Sequence, residues 1–415
     1  ALWAEIRSDL TVNGLGFGDY PERNGYPRFS RNTRLKTVIC EDKIEILDPP
    51  SKPQKPKSNL FMKLFPSFGM LIAAGAMAFM GGTMIIFSLI SCTIAIITAV
   101  VGVMEGKKEF REKTANRIEV YQKYIASKRQ EIEECRNREW TERNEIYIPA
   151  EQEIQQVETF SPDLFDRTPQ DEDFLCVRLG SGPIESARQV NYKKQEKLEI
   201  EDDLSLLPEQ TASFYKELQN APVICDLKNV NAVGITGEEA DRFELLKLIV
   251  TDVALRHFAA DVKLFFVAEK EHAGRMHLFR FLPGAYCVQT DTRGIVTDDE
   301  SKTLIFEYLY KELTMRAQEK RSYPHLLIFF YDEYGYKKHP ISQFTEKGKD
   351  LGVTFLFFGQ TRADIPVGCD YVVQLSGGYR GVLINAAEKS KTVPFVSSQI
   401  SDTLAVRIVR TLAPV

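Results

Sequence analysis

Residues 325–335 read HLLIFFYDEYG, and this stretch decides the fold class of the chain. Six apolar residues in a row, 326–331, are typical of a strand buried on both faces, as in parallel sheets. The next two residues, Asp332 and Glu333, then lie at the carboxyl end of the strand, where open α/β sheets place their ligand crevice. In P-loop ATPases, an acidic pair after such a strand holds Mg²⁺ and polarises water. The stretch therefore predicts a nucleotide-type crevice, if the chain also supplies a phosphate loop.

Similar apolar runs recur through the second half of the chain and alternate with helical patterns. The other runs are FLCVRL (174–179), PVICDL (222–227), VNAVGIT (230–236), DVKLFFVAE (261–269), AYCVQT (285–290), GVTFLFFGQT (352–361) and YVVQLS (371–376). Residues 238–258 place Leu245, Leu246, Ile249, Val250, Val253 and Ala254 on one helical face, and residues 299–320 do so with Leu304, Ile305, Tyr308, Leu309 and Leu313. This alternation predicts βαβ units in one large α/β domain with a mainly parallel sheet.

Bulk composition is that of a folded protein. The chain has 415 residues, of which 44% are hydrophobic and 27% charged, with a formal net charge of -5. Its seven cysteines are scattered without a CxxC spacing, which favours a reducing cytosol over a disulfide framework or a zinc site. The sequence begins ALWAEIRSDL, without Met and without a signal-peptide pattern, and we expect a fragment of a longer protein.

Residues 64–104 carry no charged side chain. A single membrane span needs about 20 residues, whereas one straight helix of this length measures roughly 60 Å, twice the hydrocarbon core. We therefore expect two transmembrane helices, at about 64–81 and 83–104, with a turn at Gly81-Gly82. Lysines and arginines flank both sides of the segment, so both ends are predicted to be cytoplasmic. A buried helix pair of a globular protein and a hairpin that dips into one leaflet are the alternatives.

The segments around this hairpin have distinct compositions. Residues 48–58 read DPPSKPQKPKS, a Pro- and Lys-rich linker. Residues 105–139 lack proline and are predicted to form a helical stalk of roughly 50 Å. Its apolar residues fall on a heptad seam that is compatible either with packing along a neighbour or with a self-associating coiled coil. The seam consists of Ile118, Tyr121, Ile125, Ile132 and Cys135, interrupted by Lys128.

The expected phosphate loop is incomplete. It should lie between a core strand and the following helix, where backbone N–H groups cradle phosphates and a lysine reaches the β/γ oxygens. Residues 234–237 read GITG, but acidic residues stand where Lys and Ser/Thr should follow, and Arg242 is the only nearby base. The spacing of Thr236 and Glu239 matches a capping box, which together with the first-turn acids would satisfy the helix terminus. The degenerate nucleotide-binding loop comprises Gly234, Thr236, Gly237, Glu238, Glu239 and Arg242.

This loop changes the interpretation of the acidic pair. Asp332 and Glu333 are Walker-B-like in position, but without a phosphate-loop lysine they are either a vestige or partners of basic residues from a neighbour. Gln360, at the end of the next apolar strand, is either a γ-phosphate sensor or an ordinary strand-end residue. The five histidines show no metal-ligand spacing, so no metal site is predicted. No cofactor is assigned to this chain, although ATP and Mg²⁺ remain possible.

The layout resembles the EssC/EccC subunit of type VII secretion systems, in its Gram-positive EssC form. The resemblance rests on YPRFSR and KIEILDPP before the hairpin, the hairpin itself, the stalk, and DEDFLCVRLGSG at 171–182. In addition, IFFYDE and GVTFLFFGQT resemble the Walker B and sensor strands of FtsK/SpoIIIE motors. The resemblance implies a RecA/P-loop-like domain that lacks a functional Walker A motif.

The resemblance also implies a domain order and a set of partners. Residues 1–57 follow an upstream forkhead-associated-like module, 58–105 form the hairpin, 106–160 the stalk, and 161–415 a degenerate FtsK/SpoIIIE-like ATPase domain. Members of the family are membrane-anchored motor ATPases that export WXG100-like proteins, assemble with other membrane subunits and form hexamers. For this chain it implies membrane anchoring, oligomeric assembly and coupling to ATP hydrolysis in further domains downstream.

Two other functions stay open at the level of the sequence. The domain could itself bind or hydrolyse ATP, with Arg242 or a neighbouring protomer's residue replacing the missing lysine. An FtsK-like DNA translocase is the second alternative, but DNA binding needs basic grooves, and no Lys/Arg stripe is visible. We therefore expect no nucleic-acid partner.

Overall fold

The computed structural model of the chain describes residues 37–56, 65, 69, 72, 75, 84–159, 161, 163–193, 202–388 and 391–413. The first predicted transmembrane helix and the Gly81-Gly82 turn lie outside this set, apart from four isolated positions. The described residues form two compact units. We call Glu41–Asn137 with Arg188–Lys216 the helix unit, and Arg138–Ala187 with Glu217–Val415 the sheet unit.

The α-helices of the described residues are α1 (Met84–Ile146), α2 (Ala150–Thr159), α3 (Asp203–Phe214), α4 (Glu239–Arg256), α5 (Ala273–Met276), α6 (Asp299–Glu319), α7 (Gly348–Leu351) and α8 (Asp402–Leu412). The strands are β1 (Ile44–Glu45), β2 (Cys176–Glu185), β3 (Val190–Asn191), β4 (Glu217–Asp226), β5 (Ala232–Thr236), β6 (Val262–Val267), β7 (Tyr286–Cys287), β8 (Thr292–Arg293), β9 (Ile295–Val296), β10 (His325–Phe330), β11 (Val353–Gly359), β12 (Tyr371–Leu375), β13 (Arg380–Asn385) and β14 (Thr392–Val396).

Helix α1 joins the second predicted span and the predicted stalk without interruption. Its 63 residues extend for roughly 95 Å at the usual helical rise. Within the described residues, it is the one helix whose length and apolar composition suffice to cross a membrane, and little of its apolar part is buried. The predicted stalk region 106–160 is thus helical in two parts, α1 and α2, which are separated at 147–149. The stalk and the two-helix hairpin stay predictions.

In the helix unit, the seam of α1 packs against its own chain. Tyr121, Ile125 and Ile132 are buried in one small core that also contains Ile44 and Leu204. Strand β1 pairs in parallel with β3 beside this core, and α3 begins with a capping box between Asp202 and Ser205. Part of the predicted heptad seam therefore has partners within the chain, and a coiled coil between chains stays a prediction.

The sheet unit is built on a ten-stranded mixed sheet. Its strand order is β4-β2-β14-β13-β12-β5-β11-β10-β6-β9. The six strands from β12 to β9 pair in parallel, as the alternating pattern predicted. The remaining strands continue from β12 in antiparallel pairing. The α/β class is confirmed, and an antiparallel extension is added to the predicted parallel sheet.

Strand β10 is central because it is buried on both faces along its whole length. Leu327 and Phe329 face one hydrophobic core together with the apolar side of α4. Leu326, Ile328 and Phe330 face a second core that contains the apolar side of α6. The apolar face predicted for α6 is correct except at Leu304, which is 41% exposed.

Buried arginines of the sheet unit contact the carboxyl end of α1. Arg167 and Arg256 both donate hydrogen bonds to the carbonyl oxygen of Ile146, and Arg178 donates to that of Tyr147. The last carbonyls of a helix have no partner within the helix and carry partial negative charge, so cations are favoured there. This end of α1 is thereby attached to the sheet unit.

Buried carboxylates neutralise Arg256 in turn. Arg256 forms ion pairs with Glu153 of α2, at 2.9 Å, and with Asp252 of α4. Burial and the neighbouring charge of Asp252 raise the pKa of Glu153. Although burial acts in the opposite sense on Asp252, the charge of Arg256 lowers the pKa of that carboxyl. One guanidinium therefore joins two helices to the end of α1.

We expect the substitution Arg256→Leu to destabilise the sheet unit by about 3–5 kcal/mol, because it leaves Glu153 and Asp252 buried without their cation. The thermal unfolding midpoint of the full chain should fall by on the order of 10 °C. Arg407→Leu is the matched control, because Arg407 pairs with Glu158 at the surface at 3.0 Å and should change stability by less than about 1 kcal/mol. Equal midpoints for the two variants would contradict this role of Arg256.

Candidate functional site

The predicted site residues lie at one edge of the parallel sheet. Strands β5, β11, β10 and β6 are neighbours in parallel register, so their carboxyl ends meet at this edge. Thr236 ends β5, Gln360 follows β11, and Asp332 and Glu333 follow β10 after one intervening residue. The edge is where doubly wound folds bind ligands.

The turn between β5 and α4 is short. Only Gly237 and Glu238 separate the strand from the helix. The N–H of Gly237 donates to the carbonyl oxygen of Gly359 in β11 at 3.2 Å, and Gly237 has a φ of 146°. A Cβ atom there would come within 2.7 Å of the Cβ atom of Leu375. The turn is therefore packed against neighbouring strands. Gly234 lies within β5 itself.

The predicted capping box is wrong. Thr236 belongs to β5, is buried, and its hydroxyl donates to the carbonyl oxygen of Val373 in β12, at 3.4 Å. Glu238 is the N-cap residue of α4 and makes no capping hydrogen bond with its side chain. The strand extends through Thr236, so this residue cannot turn back to cap the helix. The acidic residues therefore do not occupy the helix N–H groups in the predicted way.

Glu239 instead pairs with cations from the segment that follows β6. Its carboxylate forms an ion pair with Arg275 and lies 3.4 Å from Nε2 of His272. Tyr331 adds to this contact, because its hydroxyl donates to the carbonyl oxygen of Glu239 at 3.3 Å and accepts from Arg275 at 3.4 Å. Burial raises the pKa of Tyr331, so its hydroxyl stays protonated.

Asp332 is bound to the same segment. Its Oδ2 atom accepts from the N–H of Glu269 at 2.8 Å and lies 2.8 Å from Nδ1 of His272. His272 thus bridges Asp332 and Glu239, one with each ring nitrogen. We call Glu239, His272, Arg275, Tyr331 and Asp332 the edge cluster.

Glu333 has a different local role. It is exposed, and its carboxylate accepts from the N–H groups of Gly335 at 3.2 Å and Lys337 at 2.8 Å. Burial alone would raise the pKa of Glu333, but these backbone donors and the charges of Lys337 and Lys338 lower it. The carboxylate of Glu333 therefore stabilises the turn into the 3-10 helix Tyr336–Lys338.

Gln360 and Arg242 lie beside the edge cluster. Gln360 is exposed at the start of a turn in which Asp364 accepts from the N–H of Thr361 at 2.7 Å. The guanidinium of Arg242 lies 5.4 Å from the centre of the Tyr331 ring, at a cation–π distance. Its Nε atom is buried and has no hydrogen-bond partner among the described residues. Arg242 is thus the one predicted site residue with an unused buried donor.

Sequence reasoning missed His272, Arg275 and Tyr331. No metal-ligand spacing marked the histidine, and no group of three potential ligands occurs in the part of the chain that the structure describes. The usable signal was position: β6 ends at the same sheet edge, so the charged residues that follow it had to face the acidic pair. The sequence allowed Asp332 to pair with basic residues from a neighbour, but its partner His272 belongs to the same chain.

Comparison with known proteins finds relatives that are named as secretion-system proteins. No protein-family model matches the chain. It is 22% identical over 403 residues to the ESX secretion system protein EccC of Geobacillus thermodenitrificans, which covers 94% of this chain and 27% of that protein. It is also 22% identical over 439 residues to the type VII secretion system protein EssC of Staphylococcus aureus, covering 99% of this chain and 30% of that protein.

A solved structure of a type VII secretion ATPase is also similar to this chain. It is the cytoplasmic domain of the Thermomonospora curvata type VII secretion ATPase EccC, with 15% identity and a TM-score of 0.40 over 60% of this chain and 32% of that one. The relatives confirm the resemblance in the sequence to EssC/EccC proteins. It spans 25–30% of the length of the relatives it matches.

We expect Asp332→Asn to destabilise the chain by about 1–2 kcal/mol, because it replaces charge-assisted hydrogen bonds with neutral ones. The unfolding midpoint should fall by a few degrees. Asp299→Asn is the control, since that side chain is 92% exposed and its substitution should leave the midpoint unchanged. An unaltered midpoint for Asp332→Asn would mean that the carboxylate is free for another role.

Proposed function

We propose that this chain is the membrane-anchoring and assembly part of the motor ATPase of a type VII protein secretion system. In this proposal, ATP hydrolysis takes place in other domains of the same protein, and the chain couples it to export of WXG100-like proteins across the cell membrane. The chain's similarity to secretion proteins over nearly its whole length supports the system. The pairing within the edge cluster supports ATP hydrolysis in other domains rather than in this one.

Chemical features of the sheet edge disfavour ATP hydrolysis in this domain. A phosphate cradle needs several free backbone N–H groups and a lysine, whereas the turn here has two residues and is followed by Glu239. The space that phosphates would use lies beside two carboxylates, and His272 and Arg275 are already paired with them. We therefore propose that 161–415 is a degenerate FtsK/SpoIIIE-like ATPase domain whose Walker A motif does not function.

Anchoring and assembly complete the proposal. Two transmembrane helices, at about 64–81 and 83–104, would place both ends of the chain in the cytoplasm, with 1–57 before them and the stalk 106–160 after them. The exposed apolar part of α1 supports the second span. The proposed partners are the lipid bilayer, other membrane subunits of the secretion system, and further copies of the chain, up to a hexamer.

A second function is favoured by one observation, the unpaired Nε atom of Arg242. A buried donor without a partner costs free energy, and a bound phosphate would relieve that cost. In this alternative, Arg242 binds the γ-phosphate, Asp332 holds Mg²⁺, Glu333 orients water and Gln360 senses the nucleotide. The proposal and this alternative therefore predict opposite results for ATP binding, so one binding experiment distinguishes them.

We expect no saturable heat when Mg²⁺-ATP is titrated to about 1 mM into the full chain in detergent. Calorimetry on the wild type, Arg242→Gln and Lys311→Gln tests this, with Lys311 as an exposed control cation on α6. Binding by the wild type and the control that is lost in Arg242→Gln would overturn the proposed division of labour and favour the second function.

We expect the expressed chain to stay with the membrane pellet after an alkaline carbonate wash, because its apolar segment is long enough to span the bilayer. A variant without residues 64–104 should appear in the supernatant. Release of the intact chain by carbonate would contradict membrane anchoring, whatever the result for ATP.

A further inference from the structure

A short extended segment lies along the membrane-proximal part of α1. We call residues 47–56 the strap. The Tyr121 hydroxyl donates to the carbonyl oxygen of Leu47 at 2.9 Å, and Nε of Arg117 donates to that of Pro50 at 2.7 Å. At the end of the strap, the Cβ atom of Pro56 lies 3.6 Å from the position of a Cβ atom added to Gly106. The strap and α1 therefore run antiparallel, and the exposed residue Lys55 directly precedes Pro56, which lies near Gly106.

The charges of this part of α1 are sorted around the helix. With about 100° per residue, the order around the axis is the strap-facing residues (Gly106, Arg117, Tyr121), then the basic residues (Lys107, Arg111, Lys108), then the acidic residues (Glu105, Glu109, Glu112). The basic face adjoins the strap, so Lys55 extends it. We call Lys55, Lys107, Lys108 and Arg111 the basic ridge.

Most of the basic ridge has no internal counter-charge. Lys108 lies 3.9 Å from Glu112 and Lys113 lies 2.6 Å from Glu109, so those lysines are partly neutralised. Lys55, Lys107 and Arg111 are exposed and form no ion pair with the part of the chain that the structure describes. Three cations on one surface are thus available to an external anion.

The position of the ridge along α1 identifies that anion. Ile94, Ile97 and Met104 are 59–66% exposed, as expected for a face covered by lipid. Lys107 and Arg111 follow Met104 by three and seven residues, which is about 5 and 10 Å along the helix axis. The polar layer on each side of a bilayer is roughly 5–8 Å thick, so Lys107 lies within it and the long side chain of Arg111 starts just beyond it.

We propose that the basic ridge binds the headgroups of anionic phospholipids in the cytoplasmic leaflet. The inference rests on the proposed membrane anchoring and goes beyond it, since anchoring needs only an apolar span. The strap is essential to the site, because it carries Lys55 to the helix and leaves the acidic face on another side. Bound headgroups would in turn hold the strap against α1 at the membrane surface.

The test uses the full chain in a neutral detergent, titrated with phosphatidylglycerol, phosphatidylcholine or inorganic phosphate. We expect phosphatidylglycerol to raise the thermal unfolding midpoint, and the other two to leave it unchanged. In the variant Lys55→Gln/Lys107→Gln/Arg111→Gln, the apparent affinity for phosphatidylglycerol should fall about fivefold per charge, on the order of 100-fold in total.

The control variant is Lys123→Gln/Lys128→Gln/Lys311→Gln, which removes the same charge from lysines that are paired with glutamates elsewhere. It should bind phosphatidylglycerol as the wild type does. Equal stabilisation by both lipids, or an unchanged affinity in the ridge variant, would overturn the inference while the carbonate wash still reported membrane anchoring. An effect of inorganic phosphate alone would show an ion site that does not select lipid.

Discussion

The sheet unit depends on the contact between buried arginines and the carboxyl end of α1. Arg167 and Arg256 donate to the same carbonyl oxygen, that of Ile146, which no residue within the helix can satisfy. Because Arg256 also binds Glu153 and Asp252, the helices α2 and α4 are positioned by the same group. A charge buried with this many partners is costly to displace, so it fixes one arrangement of the three helices.

Helix α4 connects this contact with the edge cluster. Its last residue is Arg256, and its first is Glu239, whose carboxylate faces His272 and Arg275. Both ends of the helix are therefore held by ion pairs, and its apolar side is packed on β10 between them.

The sequence was informative where local pattern and burial agree. The continuous apolar run of β10 and the helical periods of α4 and α6 predicted the parallel part of the sheet and the edge at which Asp332 and Gln360 lie. The strands β13 and β14, which lie between β12 and β2, were missed because Gly381 and Pro394 interrupt their short apolar runs. Thr236 was misassigned as a helix cap because sequence spacing cannot show that β5 continues through it. His272 was missed because its partners come from α4 and β10, far away in the chain.

The edge cluster lies at the sheet edge where a phosphate loop would bind its ligand. A phosphate loop could tolerate a substitution if its N–H groups stayed free and its surroundings stayed positive. Here the turn has two residues, Gly237 is bonded to β11, Arg275 is paired with Glu239, and His272 contacts Asp332. Restoring a lysine alone would leave both carboxylates and the short turn in place. At this sheet edge the charged side chains of the edge cluster pack against one another within the chain, and the buried Nε atom of Arg242 has no hydrogen-bond partner among the described residues.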